Sequence, residues 1–196
     1  MSLNDYKREK LENHILTRPD TYIGGCDEIT EKIPMLEGNK IVNKEAVHIP
    51  GLLNIYDEII VNARDQMIRL EQSKSTNPVT TIKVSIDENT GLITVYNDGE
   101  GIDVAEHPTE KDENGNSINI VYMILFDLLT SKNYNEDEKK IVGGKNGYGA
   151  KLTNIFSSYF RVETVDSVRG LKYIQEARNN KKEISKAKIT KTDKKS

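Results

Sequence analysis

Cysteine occurs once in the 196 residues, at Cys26, so no disulfide framework can close within the chain. A lone thiol suits a reducing, intracellular compartment. No neighbouring histidine marks it as a nucleophile. No apolar run approaches the length of a membrane span, and no signal peptide opens the sequence. Positive charge is not in excess: the net charge is −3, which argues against a broad DNA-binding face. Histidine is scarce too. His14 reads as a packing or capping residue of the N-terminal arm, and His48 and His107 have no evident partners. With 36% hydrophobic and 30% charged residues, the chain has the make-up of one domain with a real core and a large polar surface.

Glycine is concentrated in one place. Gly143-Gly144-Lys145-Asn146-Gly147-Tyr148-Gly149-Ala150-Lys151 precedes the apolar stretch LTNIF. Glycine lets successive N–H groups turn toward one point, and such a nest at a helix start attracts an anion, most often phosphate. The run is not a Walker A loop, because Ala150 separates Gly149 from Lys151 and Leu152 follows. It also fails the G-x-G-x-x-G spacing of a dinucleotide fingerprint. Alone, it is equally a flexible turn.

The segment Gly51 to Glu71 has helical period, with Leu52, Tyr56, Ile59, Ile60, Ala63, Met67 and Leu70 on one face. Glu58, Asn62, Asp65 and Arg69 gather in a polar stripe on another. That stripe reads either as a solvated face with i,i+4 partners or as a carboxylate and an amide presented to a ligand. In the second reading Glu58 polarises a water as a general base. Asn62 offers a hard, uncharged oxygen, which suits Mg²⁺ when phosphates supply most of the negative ligands. Next, TIKVSI and LITVYN alternate as strands around an Asn89-Thr90-Gly91 turn. They run into Asn97-Asp98-Gly99-Glu100-Gly101, which is an ordinary turn or a place where backbone approaches a flat ligand. In the latter case Asn97 can read a base edge, since its amide both donates and accepts.

Three blocks thus stand in order: DEIIVNARD, NDGEG and GGKNGYGAK. They resemble the N-, G1- and G2-type boxes of the GHKL ATPases, the superfamily of gyrase, the ninety-kilodalton heat-shock chaperone, MutL and histidine kinases. RPDTYIG (18–24), PGLLNIYDEIIVNA (50–63), LLTSKNY (128–134) and DEKKIVGGKNGYGAKLTNIFS (137–157) narrow the match. They are similar to the ATPase region of eukaryotic-type DNA topoisomerase II, over nearly the whole chain. Gyrase shares RPxxYIG but usually has Asp where Asn97 stands, so the resemblance is to the eukaryotic or large-virus branch.

This resemblance implies ATP and Mg²⁺ as cofactors. It makes Glu58 the general base toward the γ-phosphate, Asn62 the Mg²⁺ ligand and Asn97 the reader of adenine. Ser131 and Asn133 fall where the family contacts ribose and phosphate, although the family often has Ser-Ser-Asn and this chain has Lys132 in the middle. Gly144, Lys145, Asn146, Gly147, Tyr148, Gly149, Ala150 and Lys151 wrap the triphosphate, with Lys151 adding positive charge. Arg69 matches an arginine near the site, and Gln66 stands where the family commonly has Asn. Tyr6 aligns with a tyrosine on an arm that reaches the partner subunit's nucleotide.

The implied fold is α+β, a two-layer sandwich with a mixed, largely antiparallel sheet under helices (the GHKL or Bergerat fold), its last strands truncated. Residues 1–30 are expected as an arm that straps a second copy of the chain, and 31–196 as the ATPase domain, incomplete at its C-terminal end. Along the chain the reading is a short helix at 5–17, an irregular or hairpin stretch at 31–50, a helix at 51–71 and a hairpin at 79–97. A polar loop at 103–117, helices at 118–130 and 150–157, and strands at 158–166 and 171–178 follow. The lysine-rich end from Asn179 reads as a solvated tail, with DNA contact as its alternative.

The chain has no room for a DNA-cleaving tyrosine domain or for the transducer whose lysine reaches the γ-phosphate, so it reads as a piece of a larger enzyme. The leading function is the ATP-driven gate of a type II topoisomerase, a nucleotide-dependent homodimer acting on duplex DNA. Its location would be the nucleus of a eukaryote, or the infected-cell cytoplasm or virion for a virus. The alternative is a nucleotide-binding dimerisation module with little turnover. A chaperone-like clamp would share the site but is opposed by RPDTYIG.

Overall fold

A computed structural model of the chain describes residues 10–128 and 148–193. Contacts divide it into two compact units, Met1–Asp57 and Glu58–Ser196.

In the first unit, α1 (Leu11–Thr17) leads directly into α2 (Pro19–Ile23). Pro19 occupies the first position of α2, where its missing N–H costs nothing. The Nδ1 of His14 lies 2.9 Å from the Tyr22 hydroxyl, a packing role for His14. The stretch expected as irregular or hairpin is a regular hairpin of β1 (Ile29–Glu37) and β2 (Lys40–His48), turned at Gly38 with φ 58°. Both of its faces carry exposed side chains, and Leu36 and Ile41 are 75% and 76% accessible.

Helix α3 (Pro50–Gln72) is the long helix expected from the periodicity. It stops because Lys74 takes a left-handed φ of 53°, which lets the Ser75 N–H reach back 2.9 Å to the Leu70 carbonyl. Two positions correct the helical-wheel assignment. Leu52, placed on the apolar face, is 56% exposed, whereas Asp65, placed in the polar stripe, is buried at 4%.

The second unit is built from antiparallel pairs. β3 (Ile82–Asp87) and β4 (Leu92–Asn97) form the expected hairpin. The stretch 103–117, expected as loop, instead contains β5 (Glu106–Lys111), paired with β6 (Ser117–Asn119) around a turn. In that turn the Asp112 carboxylate accepts the N–H groups of Asn114 and Asn116 at 2.9 and 2.8 Å. The helix expected over 118–130 shrinks to α4 (Ile120–Leu125), since β6 takes its first residues and Phe126 leaves helical geometry. Asn119 caps α4 by accepting the Val121 N–H at 2.9 Å.

α5 (Gly149–Phe156), β7 (Tyr159–Asp166) and β8 (Leu171–Arg178) follow as expected. The lysine-rich end is not merely a solvated tail: β9 (Glu183–Ile184) and β10 (Lys188–Lys191) both pair with β8. The core lies where α4 covers the β7–β8 face. Val104, Val121 and Tyr173 are buried there, with Ile102, Leu125, Val162 and Leu171 against them. Helix over antiparallel sheet makes this unit two-layered. Every strand pairing among the described residues is antiparallel, and the strands fall into four sheets rather than one mixed sheet.

Candidate functional site

The site assembles from the part of α3 that begins at Glu58, the turn after β4, and the start of α5, all within the second unit. Glu58 sits in the middle of α3, half-buried, with Asn62 one turn on and exposed. At the start of α5, Gly149 has no room for a side chain: an added Cβ would overlap the Glu58 carboxylate, 2.9 Å from its Cδ and 3.3 Å from its Cβ. The carboxylate of Glu58 therefore lies against the first residue of α5. That is the positive end of the helix dipole, where a carboxylate is favoured and where an anion would also be drawn. Tyr148 precedes the helix and contributes no side-chain cap.

Lys151 lies on the buried side of α5's first turn, 2% exposed. Burial pushes its ammonium down to about 8, against the pull of Asp127, and the nearby charge of Lys181 pushes the same way as burial.

The turn after β4 is held from several directions. Gln66 donates from Nε2 to the Glu100 carbonyl at 2.9 Å and accepts from Arg69 Nη1 at 2.7 Å, so both ends of its amide are engaged by protein groups. Ser75 donates its hydroxyl to the Glu100 carboxylate at 2.5 Å. The Asp98 carboxylate accepts from Thr80 N–H, Thr80 hydroxyl and Thr81 N–H at 2.7, 2.5 and 2.8 Å. The Thr80 hydroxyl, then the Thr81 N–H, hold its pKa below the ordinary aspartate value. Asn97 ends β4, half-buried, and donates from Nδ2 to the Asp98 carbonyl at 2.9 Å. That bond fixes which end of the amide is which and leaves Oδ1 as an acceptor.

The two glycines of this turn approach protein rather than open space. Gly99 adopts φ 93°, and an added Cβ would come within 2.8 Å of Val79. At Gly101 an added Cβ would collide with the backbone of Val165 on β7, 2.9 Å from its carbonyl carbon. Asp98, Thr80 and Ser75 were not among the residues singled out from the sequence. The signal for them was present in the Asp-Gly turn and the hydroxyl-rich segment before β3, since short polar side chains there bond local backbone. Tyr6, Ser131, Asn133, Gly144, Lys145, Asn146 and Gly147 lie outside the described residues.

No group of three or more His, Cys, Asp or Glu side chains able to hold a metal occurs among the described residues. Among them, too, no helix is long and apolar enough to cross a membrane.

No family model matches the chain. Individual relatives do. DNA topoisomerase 2 of Acanthamoeba polyphaga mimivirus is 44% identical over 191 residues, covering 94% of this chain and 14% of the relative. DNA topoisomerase 2 of Plasmodium falciparum is 48% identical over 166 residues, covering 84% of this chain and 11% of the relative. The solved ATPase region of Saccharomyces cerevisiae topoisomerase II superposes with a TM-score of 0.87 at 40% identity, over 98% of this chain and 48% of that one. The chain belongs to the ATPase regions of eukaryotic-type DNA topoisomerase II. The ATPase and transducer domains of the Balamuthia mandrillaris enzyme superpose equally well, with a TM-score of 0.86 at 40% identity, over 98% of this chain and 46% of that one. The chain therefore spans about half the length of the solved ATPase-region chains and a small part of the curated relatives.

Proposed function

We propose that this region binds ATP with Mg²⁺ and hydrolyses its γ-phosphate, as the gate that drives passage of one DNA duplex through another in a type II topoisomerase. The observation that carries the reading is the Glu58 carboxylate against Gly149. It puts a proton acceptor beside the helix start at which a triphosphate would end. Glu58 takes the proton of the attacking water, while the first turn of α5 and Lys151 hold the negative charge of the phosphates.

Asn62 suits the metal. Its amide is exposed one turn from Glu58. A donor set with few protein carboxylates fits Mg²⁺, which keeps waters and takes substrate phosphates as ligands. When bound, the ion neutralises charge on the phosphates.

Asn97 reads the base. With Nδ2 committed to the Asp98 carbonyl, Oδ1 accepts from the exocyclic amine of adenine. Guanine presents a carbonyl at the corresponding position and is rejected. Arg69 and Gln66 shape the wall between helix and turn. Ser131, Asn133 and the run Gly144 to Gly147 complete the ribose and phosphate contacts.

Residues 1–30 form an arm whose Tyr6 reaches the nucleotide of a second copy of the chain, and 31–196 form the ATPase domain. ATP binding closes that pair around duplex DNA inside the cell: in the nucleus of a eukaryote, or in infected-cell cytoplasm or virion for a virus.

The test is Glu58→Gln in the full-length protein. The amide keeps the shape but is a poor proton acceptor, so ATP binding persists while hydrolysis falls about 10²- to 10⁴-fold. Unchanged turnover in the purified variant would remove Glu58 from the mechanism.

A further inference from the structure

A segment of chain with no strand partner of its own follows the turn after β4. Residues 101–104 run beside β7, and the attachment is made by side chains. The Ile102 N–H donates to Thr164 Oγ1 at 3.0 Å, and the Val104 N–H donates to Asp166 Oδ2 at 2.9 Å. Alternate residues of one segment thus meet alternate residues of the other, both in ascending order. This is a parallel pairing in which a hydroxyl and a carboxylate replace backbone carbonyls. Gly101 makes it possible: an added Cβ there would stand 2.6 Å from Thr164 Oγ1.

The carboxylate end is itself braced. Asp166 also accepts from the Arg169 N–H at 2.9 Å and from Arg169 Nη1 at 2.8 Å, and the same guanidinium nitrogen reaches Asp103 at 2.7 Å. Thr164 and Asp166 share a strand face with Val162, which packs against the core. Polar residues on such a face are kept there by the bonds they make.

We infer that Thr164 and Asp166 are positioning residues for the base end of the nucleotide site. Their hold on residues 101–104 fixes one side of the Asn97–Gly101 turn, while Gln66 and the 75–81 segment hold the other. Neither residue touches the nucleotide. They set where the Asn97 amide stands, and so how sharply adenine is told from guanine. The inference rests on the reading of Asn97 as the base contact.

Thr164→Val removes the hydroxyl and keeps the branched shape; Thr164→Ser keeps the hydroxyl. In the full-length protein, nonhydrolysable ATP and GTP analogues are titrated against wild type and both variants, and ATP turnover is measured at saturation. Thr164→Val is expected to lower the ATP-to-GTP affinity ratio about five- to tenfold, the scale of one lost hydrogen bond. GTP affinity and saturated turnover stay near wild type, and Thr164→Ser keeps the wild-type ratio.

A wild-type preference for ATP that Thr164→Val leaves intact would overturn this inference while sparing Asn97. Equal losses for both nucleotides would also overturn it, by reducing Thr164 to a packing role. Absence of any ATP preference in the wild type would overturn both readings together. Should Thr164→Val not fold, Thr164→Ala takes its place, and failure of both to fold beside a folded Thr164→Ser would assign Thr164 to stability alone.

Discussion

Gly101 and Gly149 both border the candidate site, and each leaves no space for a side chain, yet for opposite reasons. At Gly101 the obstacle is the backbone of Val165 in a paired strand, which cannot retreat without opening β7. At Gly149 the obstacle is the far end of the Glu58 side chain, which can swing aside at little cost. One glycine protects the fold and the other protects the placement of the Glu58 carboxylate. At these two positions the neighbours, rather than the torsion angles, decide which penalty the loss of the glycine incurs.

The sharpest way to break this comparison is Gly101→Ala. Forcing a methyl group against the β7 backbone is an overpacking that costs about 3 kcal/mol. Denaturant unfolding of the full-length protein reads it, and a midpoint unchanged from wild type would show that the 101–104 segment yields. Gly149→Ala is expected to leave stability within about 1 kcal/mol, because only a flexible side chain moves. Its hydrolysis falls about a hundredfold as the Glu58 carboxylate is displaced. If Gly149→Ala unfolds the protein instead, the two glycines do the same work.

Titration sharpens the comparison further. Asp166 is held below the ordinary aspartate pKa: burial opposes ionisation, but the N–H groups of Arg169 and Val104 and the Arg169 guanidinium outweigh it. A carboxylate with a depressed pKa stabilises the fold above its unfolded value and loses that contribution as pH falls through the folded one. Asp166→Asn is therefore expected to weaken the protein at neutral pH and flatten the loss of stability below about pH 4. Thermal melts across that range give the slope.

Lys151 gives a slope of the same sign for the opposite reason: its folded pKa is lowered because burial disfavours its charged form. Its pKa, lowered to about 8, makes stability rise with pH between about 8 and the ordinary lysine value, because the unfolded chain binds the extra proton there. On the proposed role of Lys151, a bound triphosphate favours its charged form, so nucleotide binding is expected to take up protons near pH 8 and to weaken above it. Calorimetry in buffers of different ionisation heat measures the uptake, which Lys151→Met should abolish.

The pattern of residues made part of this legible. Helix α3, the hairpin β3–β4, α5 and the strands β7 and β8 follow from apolar period and turn residues that act over a few positions. Glu58 and the glycine run could be brought to one site only through the resemblance of three separate blocks, since no local pattern joins residue 58 to residue 149. Three features were hidden by composition. β5 contains Pro108 among charged residues, β9 and β10 lie in a lysine-rich stretch, and all are edge or peripheral strands whose pairing partners, not their own propensity, make them extended. Asp65 was hidden by geometry: a helical wheel gives an angle but not what faces it. Thr164 and Asp166 were hidden by distance, because their partners stand 62 residues earlier.

That distance has a kinetic consequence. The β7–β8 hairpin closes on its own neighbours, with only the short connection 167–170 between its strands. The clasp of 102 and 104 onto 164 and 166 must instead wait for a long loop to close, at an entropic cost that no local contact offsets beforehand. The hairpin is therefore expected to form early and to present its hydroxyl and carboxylate as a template, with the Asn97–Gly101 turn settling late. During synthesis from the N-terminus, that turn emerges well before the strand that will seat it, so its final shape is expected to wait until β7 has left the ribosome.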